Sequence, residues 1–407
     1  MIAPKLRFSE FKDEWQSEKL GKVIDISSAS RVFKEQWQES GVPFFRTSDV
    51  VSIFKNTTNE KAFISNELYE ELAKKSGKIQ KDDLLITGGG SIGIPYLVKD
   101  NKPLYFKDAD LLWLKSSGKI NGSYLYNFFV SPKFREYLKS ISHTGTISHF
   151  TIEQAKTTPI VLPSMPEQTK IAEFLSAVDD KISQLSRQLE LLNQYKKGVM
   201  QKIFSQEIRF KNDNGEDFGE WDEKELNEIF DFSRGEPLSK NDLDEQGQYD
   251  CIHYGELFTK YNEVANRIYS KTNKKANKIG KKGYILMPSS DVTPDGLARA
   301  TCLNKDEVYL GGDINVLKPK TEINSIFFSY LINSDKSRLL TCVTGTTVKH
   351  IYNKDICGLI YNFPSSIQEQ EKIAGFLTAI DERIDHTTAQ LTHTKQWKKG
   401  LLQQMFA

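Results

Sequence analysis

The sequence lacks most of what marks a secreted, membrane-bound or catalytic protein. It has four cysteines, Cys251, Cys302, Cys342 and Cys357, all in the second half, and no two stand at CxxC spacing. That argues against a disulfide framework or a thiolate metal site and for reduced thiols packed as small hydrophobes. The six histidines make no metal-ligand pattern; His386 and His393 share a helix face, but no cysteine or carboxylate cluster joins them. No apolar run is long enough to span a bilayer. The start, Met1-Ile2-Ala3-Pro4-Lys5-Leu6-Arg7, has no secretory hydrophobic region. The expectation is a soluble, cytoplasmic protein. Surplus charge is missing as well: 55 Lys and Arg stand against 54 Asp and Glu, a formal net charge of +1. Global charge therefore neither favours nor excludes a nucleic-acid partner, because basic patches can be local.

Catalytic signatures are absent too. There is no Walker A sequence, no Asn-Pro-Pro or Asp-Pro-Pro motif, and no Ser/His/Asp or Cys/His set that repeats. Gly88-x-Gly90-x-x-Gly93 follows the apolar run Asp83–Ile86 and matches the dinucleotide fingerprint in its letters only. A Rossmann turn must open a helix, yet Pro95 and the β-like Tyr96-Leu97-Val98 follow. The second half carries Pro288-Ser289-Ser290-Asp291 at the corresponding place.

What is present is a duplication. Asn193-Gln194-Tyr195-Lys196-Lys197-Gly198-Val199-Met200-Gln201 recurs as Lys395-Gln396-Trp397-Lys398-Lys399-Gly400-Leu401-Leu402-Gln403. A shift of 202 residues aligns Glu167–Phe204 with Glu369–Phe406, and 18 of those 38 positions are identical. Outside the helices the anchors are sparser. Arg7-Phe8, Phe11 and Trp15 match Arg209-Phe210, Phe218 and Trp221; Thr144-Gly145-Thr146 matches Thr344-Gly345-Thr346; His149 aligns with His350. Between the anchors the copies diverge.

Apolar residues in the first repeat segment fall at Ile171, Leu175, Val178, Ile182, Leu185, Leu189, Leu192, Val199 and Ile203, with Lys196 in the one missing slot. That is a heptad seam. The second puts Ile373, Leu377, Ile380, Ile384, Leu391, Leu401 and Met405 in register, interrupted by Thr387, Thr394 and Lys398. A helix of about 38 residues is about 57 Å long. So narrow a stripe needs a partner: the other copy, the economical choice within one chain, or a second subunit. The Lys-Lys-Gly near each end reads as a cationic C-terminal turn with a glycine weak point; helix propensity continues through Met200 and Leu402, so the glycine need not be a stop.

Each globular half reads as mixed α/β with short strands, and its loops supply the candidate site. Pro43–Val50 looks like a strand running into a polar turn that carries Arg46 and Ser48; Cys251–Leu257, with His253 and Tyr254, is its match. The loop with Gly89, Gly90 and Ser91, and its counterpart Ser289, Ser290 and Asp291, present backbone N–H groups or short side chains suited to a phosphate backbone; the alternative is a tight turn. Thr144, Gly145, Thr146 and His149, and Thr344, Gly345, Thr346, Thr347, Lys349 and His350, combine a glycine able to take positive φ with hydroxyls that donate to phosphate; the alternative is a capped turn. Six lysines lie within 271–282, among them Lys274 and Lys275, and Lys74 and Lys75 belong to a thinner counterpart. They are either a solvated face or phosphate-positioning groups.

Two signatures are the most specific: Pro4-Lys5-Leu6-Arg7-Phe8 with Trp15, and Pro166-Glu167-Gln168-x-x-Ile171-Ala172-x-Phe174-Leu175. The latter recurs as Gln368-Glu369-Gln370-Glu371-Lys372-Ile373-Ala374-Gly375-Phe376-Leu377. With the paired halves, they resemble the specificity subunit of Type I restriction-modification systems over essentially the full length. The resemblance implies an α+β chain. Two mixed α/β target-recognition domains, residues 1–164 and 207–364, are separated by two long spacer helices, 165–206 and 365–407, which form an antiparallel intramolecular coiled coil. It implies that each domain reads one half of a bipartite double-stranded DNA site from the major groove. The helices set the spacing and dock two modification (methyltransferase) subunits, through which restriction (motor-nuclease) subunits join. On this reading the chain has no catalytic residue, metal or cofactor of its own and no membrane partner. S-adenosylmethionine, ATP and Mg belong to the partner subunits. The rival readings are a non-catalytic assembly scaffold and a nucleotide-using enzyme built on the Gly88–Gly93 loop.

Overall fold

The computed structural model describes residues 3–107, 110–116, 118–141 and 149–406. The chain folds as two compact units that cut across the linear domain order. One comprises Met1–Arg187 with Thr388–Ala407, the other Gln188–Thr387. Each unit therefore contains part of both long helices, Met165–Phe204 and Ile367–Met405. In the first unit Phe174 meets Trp397 edge-on at 5.9 Å, and Lys398 Nζ lies 2.5 Å from Asp179. In the second Lys196 Nζ lies 2.7 Å from Asp381. Early residues of one helix thus meet late residues of the other, and the helices run antiparallel.

The heptad positions are where the burial is. Ile171, Leu175, Val178, Leu185, Leu391, Leu401 and Met405 are buried in the first unit, and Val199, Ile203, Ile373, Leu377 and Ile380 in the second. The seam is covered by the chain itself, as expected of an intramolecular pair.

The helices run on past the Lys-Lys-Gly segments to Phe204 and Met405, so the glycines are no stop and the lysines lie before the last turn. The first lysine of each segment fastens one helix to the other. Lys196 sits between Asp381 and Glu263, at 2.7 and 2.8 Å, and all three side chains are less than 20% exposed, at 14%, 19% and 14%. Tyr330 donates to Asp381 at 2.5 Å. Burial acts to lower the pKa of Lys196, but the two carboxylates outweigh it and raise it; Asp381 is pushed up by burial, against the pull of Lys196. One ammonium holds two partly buried carboxylates together. Lys196→Met leaves them facing each other and is expected to destabilise the second unit by about 2 kcal/mol. Lys398→Met removes a pair whose acid, Asp179, is 42% exposed, and is expected to lower stability by less than about 1 kcal/mol. Thermal unfolding of the two variants compares the effects; equal shifts would contradict the argument.

The recurring signatures fold into matching clamps. In the first unit Glu167, 1% exposed, accepts from Arg7 Nε and Nη2 at 2.7 and 2.8 Å and from Trp15 Nε1 at 3.2 Å. In the second, Glu369 accepts from Arg209 Nε and Nη2 at 3.1 and 2.7 Å and from Trp221 Nε1 at 3.4 Å. The following glutamines tie each long helix to a globular helix. Gln168 Oε1 accepts from the Asn121 N–H, and Gln370 Oε1 from that of Asn324, both at 2.9 Å. Asn121 and Asn324 are the N-caps of the helices Gly122–Val130 and Ser325–Ser334.

The globular parts are mixed α/β. The first unit has a four-stranded antiparallel sheet, Asp25–Ser27, Leu111–Lys115, Leu84–Thr87 and Pro95–Leu97. A three-stranded sheet sets Val42–Phe45 antiparallel to Ala62–Ile64 and parallel to Tyr105–Phe106. The second unit has a five-stranded sheet, Phe230–Arg234, Ile314–Pro319, Ile285–Pro288, Thr301–Leu303 and Val264–Ala265, and a four-stranded one centred on Tyr249–Ile252 and Val308–Leu310. Among the described residues, no helix is long and apolar enough to cross a membrane.

Candidate nucleic-acid interface

In the first unit the glycine loop joins two antiparallel strands and opens no helix, so the dinucleotide spacing has no Rossmann context. Gly93 N–H donates to Thr87 O at 2.7 Å and Ile94 N–H to Thr87 Oγ1 at 2.8 Å. Arg135, on the helix Pro132–Ser140, donates to Ile92 O and Gly93 O, both at 3.0 Å. The loop is thus held from behind while Gly90 and Ser91 face solvent. Gly93 has φ +71°, and a Cβ there would lie 2.8 Å from Leu138 Cδ1, so both backbone and space require glycine.

Gly89 forms a β-bridge with His149, and Phe150 N–H donates to Gly88 O at 2.7 Å. The glycine loop and the segment after the Thr-Gly-Thr motif, chosen separately in the sequence, are therefore neighbours. Thr144, Gly145 and Thr146 lie outside the described residues.

Arg46 and Ser48 do not sit in a polar turn. They begin the helix Thr47–Lys55. Asp49 turns back to accept from the Arg46 N–H at 2.8 Å and pairs with its guanidinium, which also donates to Glu60 O and lies 5.5 Å from the Trp37 ring centre. Hydrogen bonding to Asp49 raises the Arg46 pKa. Burial would raise Asp49, but the bonds from Arg46 and Asn59 hold it below the usual carboxylate value. Ser48 is exposed and accepts from Asn59 Nδ2 at 3.1 Å. Thr47 links this helix start to the glycine loop: a Cβ on Gly90 would lie 3.8 Å from Thr47 Cγ2. Lys74 and Lys75 end the helix Asn66–Ser76, where Lys75 pairs with Glu71 at 2.7 Å. No hydrogen bond or ion pair among the described residues ties them to the glycine loop.

The second unit repeats the plan with other side chains. Ser290–Asp291 and Lys349–His350 form a two-stranded antiparallel ribbon, Ser290 opposite His350 and Asp291 opposite Lys349. Thr344 and His350 exchange backbone hydrogen bonds at 2.9 and 2.8 Å, which closes the turn holding Gly345, Thr346 and Thr347. Gly345 takes φ +98°. Ser289 is buried; its N–H donates to Asp313 O, and its hydroxyl accepts from Arg234 Nη2 at 3.2 Å.

Arg234 also reaches Asp313 Oδ1 at 3.2 Å and lines a cleft of about 640 Å³ with Lys240, His253 and Tyr254. His253 is 6% exposed. Its backbone N–H donates to Glu256 Oε2 at 2.9 Å, the same fold-back as Arg46 to Asp49, and its Nδ1 accepts from the Gly255 N–H at 3.2 Å. Burial holds its pKa below the ordinary histidine value, so at neutral pH the ring is an uncharged acceptor. Lys274 Nζ donates to Pro237 O at 2.8 Å and Lys278 Nζ to Arg234 O at 3.0 Å, so part of the lysine run pins the cleft wall; Lys275 is exposed.

Sequence reasoning missed Arg234, Asp313 and Thr47. The available signal for Arg234 was a cation at the end of a strand that alternates apolar and polar residues, Phe230-Asp231-Phe232-Ser233. Both units thus place a small-residue or short-polar loop beside the segment that follows the Thr-Gly-Thr motif, and they build it from different side chains. Such a surface, with exposed hydroxyls and cations, suits contact with phosphates and base edges.

Comparison with known proteins supports this organisation. The sequence matches the Type I restriction modification DNA specificity domain twice, over residues 12–194 and 219–394. The Type I restriction enzyme MjaVIII specificity subunit of Methanocaldococcus jannaschii is 23% identical over 410 residues, covering 96% of this chain and 91% of that protein. The fold is shared with the S subunit of a Type I restriction-modification system from M. genitalium: TM-score 0.64, 17% identity, 100% and 99% of the two chains covered. It is also shared with a chain from a structural study of complex assembly and conformational transition in the Type I R-M system: TM-score 0.56, 15% identity, 96% and 97% covered. Two clamped helix signatures, two unlike loop sets and two domain matches lead to one conclusion: the chain belongs to the family of Type I restriction-modification specificity subunits, with two target-recognition domains.

Proposed function

We propose that the chain reads a bipartite double-stranded DNA site, one half per target-recognition domain, within a Type I restriction-modification complex. The long helices set the separation of the half-sites and dock two modification subunits, through which restriction subunits join. The chain contributes recognition and geometry. S-adenosylmethionine, ATP and Mg serve the partner subunits, in the cytoplasm.

The observation that carries the reading is unequal divergence. The helix clamps around Glu167 and Glu369 are alike in every partner, whereas the bridged loops are Gly89–Ser91 in one copy and Ser289–Asp291 in the other. Identical partners need like docks; an asymmetric site needs unlike readers.

Reconstitution of the full chain with its modification subunit, followed by mapping of methylated adenines, tests the proposal. The expected motif is split. Exchanging residues 1–160 for those of another family member is expected to change one half-site and leave the other intact; a change in both would contradict independent reading. An assembly scaffold would enrich no sequence from a DNA library on filter binding.

A further inference from the structure

The ribbon of the second unit ends in an apolar pair. The next residues beyond the rung Asp291–Lys349 are Val292 on one strand and Val348 on the other. Val292 is 73% exposed and Val348 44%. No other large apolar side chain among the described residues is as exposed as Val292. Singly exposed valines need no explanation, but these two adjoin the same rung on facing strands.

The turns that carry them are closed by specific contacts. The Asp291 carboxylate accepts from the Val292 N–H at 2.7 Å and from Thr293 Oγ1 at 2.7 Å. A Cβ on Gly296 would lie 1.8 Å from Asp291 Oδ2, so the turn closes only over glycine. On the other strand a Cβ on Gly345 would lie 2.2 Å from Val348 O, and Lys349 Nζ donates to Gly345 O at 2.8 Å. The surroundings mix charges: Asp291 and the exposed Asp295 lie on one strand's turn, and Lys349 and Lys354 on the other side. The Asp291 carboxylate is engaged in its own turn, Thr346 and Thr347 are exposed, His350 stacks on Tyr352 at 5.8 Å, and Lys354 lies over the same ring.

A two-stranded ribbon fits the major groove, and the apolar feature that a base pair offers there is the 5-methyl group of thymine. We propose that Val292 and Val348 form a methyl-reading contact, and that the half-site read by the second domain contains a thymine they touch. This inference rests on the DNA-reading function proposed above. In the first unit Gly90 and Ser91 follow the bridged Gly89, so Ser91 stands at the position of Val292.

The test uses the full chain reconstituted with its modification subunit and duplexes carrying the mapped motif. Each thymine of the second half-site is replaced in turn by deoxyuridine, which removes only the methyl group. At one position binding is expected to weaken roughly fourfold, the transfer of one methyl group from water. V292A/V348A is expected to bind thymine and deoxyuridine duplexes alike there. Because both side chains are exposed, its melting temperature and its preference at the first half-site should not change. V292T/V348T, which keeps the branched shape and one methyl on each side chain, should retain part of the discrimination. Insensitivity to deoxyuridine at every thymine, or a double variant that keeps the full ratio, would overturn the proposal. A chain that enriches no split motif would remove the DNA-reading function itself, and a split motif without methyl sensitivity would remove only the valine contact.

Discussion

Replacing Arg209 with alanine is expected to lower the stability of the second unit by about 3 kcal/mol, a fall of roughly 6–12 °C in melting temperature for a cooperative unit of this size. The reason lies with the partner. Glu369 is 1% exposed and takes two hydrogen bonds from the Arg209 guanidinium. Without Arg209 the carboxylate keeps, among the described residues, the 3.4 Å contact from Trp221 Nε1 and loses its counter-ion. A buried charge stripped of its counter-ion is among the few single changes with so large an effect. Arg7→Ala is expected to do the same to the first unit, through Glu167. The two should add, since the clamps lie in different units. Arg→Lys at either position should fall between, because an ammonium cannot pair bidentately with a carboxylate. Calorimetric unfolding of the four single variants and of the Arg7→Ala/Arg209→Ala double variant is the measurement, and a shift below about 2 °C for Arg209→Ala would rule out the clamp as a stabilising element.

The clamps also show which parts of the fold were legible. The helices could be read because their seams repeat for many turns and the burial follows that period. The Glu-Gln of each signature was visible as a recurrence, but its partners lie 160 and 47 residues away for Glu167 and Gln168. No local pattern encodes such distances. The end of Pro43–Val50 looked like a polar turn because the helix there begins without a Ser, Thr, Asp or Asn cap. An acid three residues on, Asp49, folds back instead, and Glu256 does the same for His253. The candidate site was found in pieces. Gly89 and His149, or Ser290 and His350, are 60 residues apart in sequence and adjacent only through strand pairing. The interruptions at Thr387 and Lys398 looked like flaws in a seam. Lys398 proves to be an ion-pair partner of Asp179, and Thr387 is buried with its hydroxyl donating to Arg383 O.

Lengthening both long helices by one heptad, after Arg187 and after Thr387 where the units divide, is expected to widen the gap between half-sites while leaving the half-sites unchanged. Seven residues add about 10 Å of helix, or about three base pairs at 3.4 Å each. Whole heptads in both helices keep the buried seam in register; four residues in one helix alone would break it and serve as the unfolding control. Affinity for the widened site should nevertheless fall, because three base pairs also rotate the duplex by roughly a hundred degrees, given 10–10.5 base pairs per turn. Three heptads in each helix add about 32 Å, close to the 34–36 Å of a full turn, and should recover much of that loss on a site lengthened by nine or ten base pairs. Methylation mapping reads the gap and duplex binding reads the phase. If the gap stays fixed while both insertions fold, the helices do not set the spacing. If the gap moves but affinity ignores phase, the domains are carried flexibly, and the helices limit reach without fixing orientation.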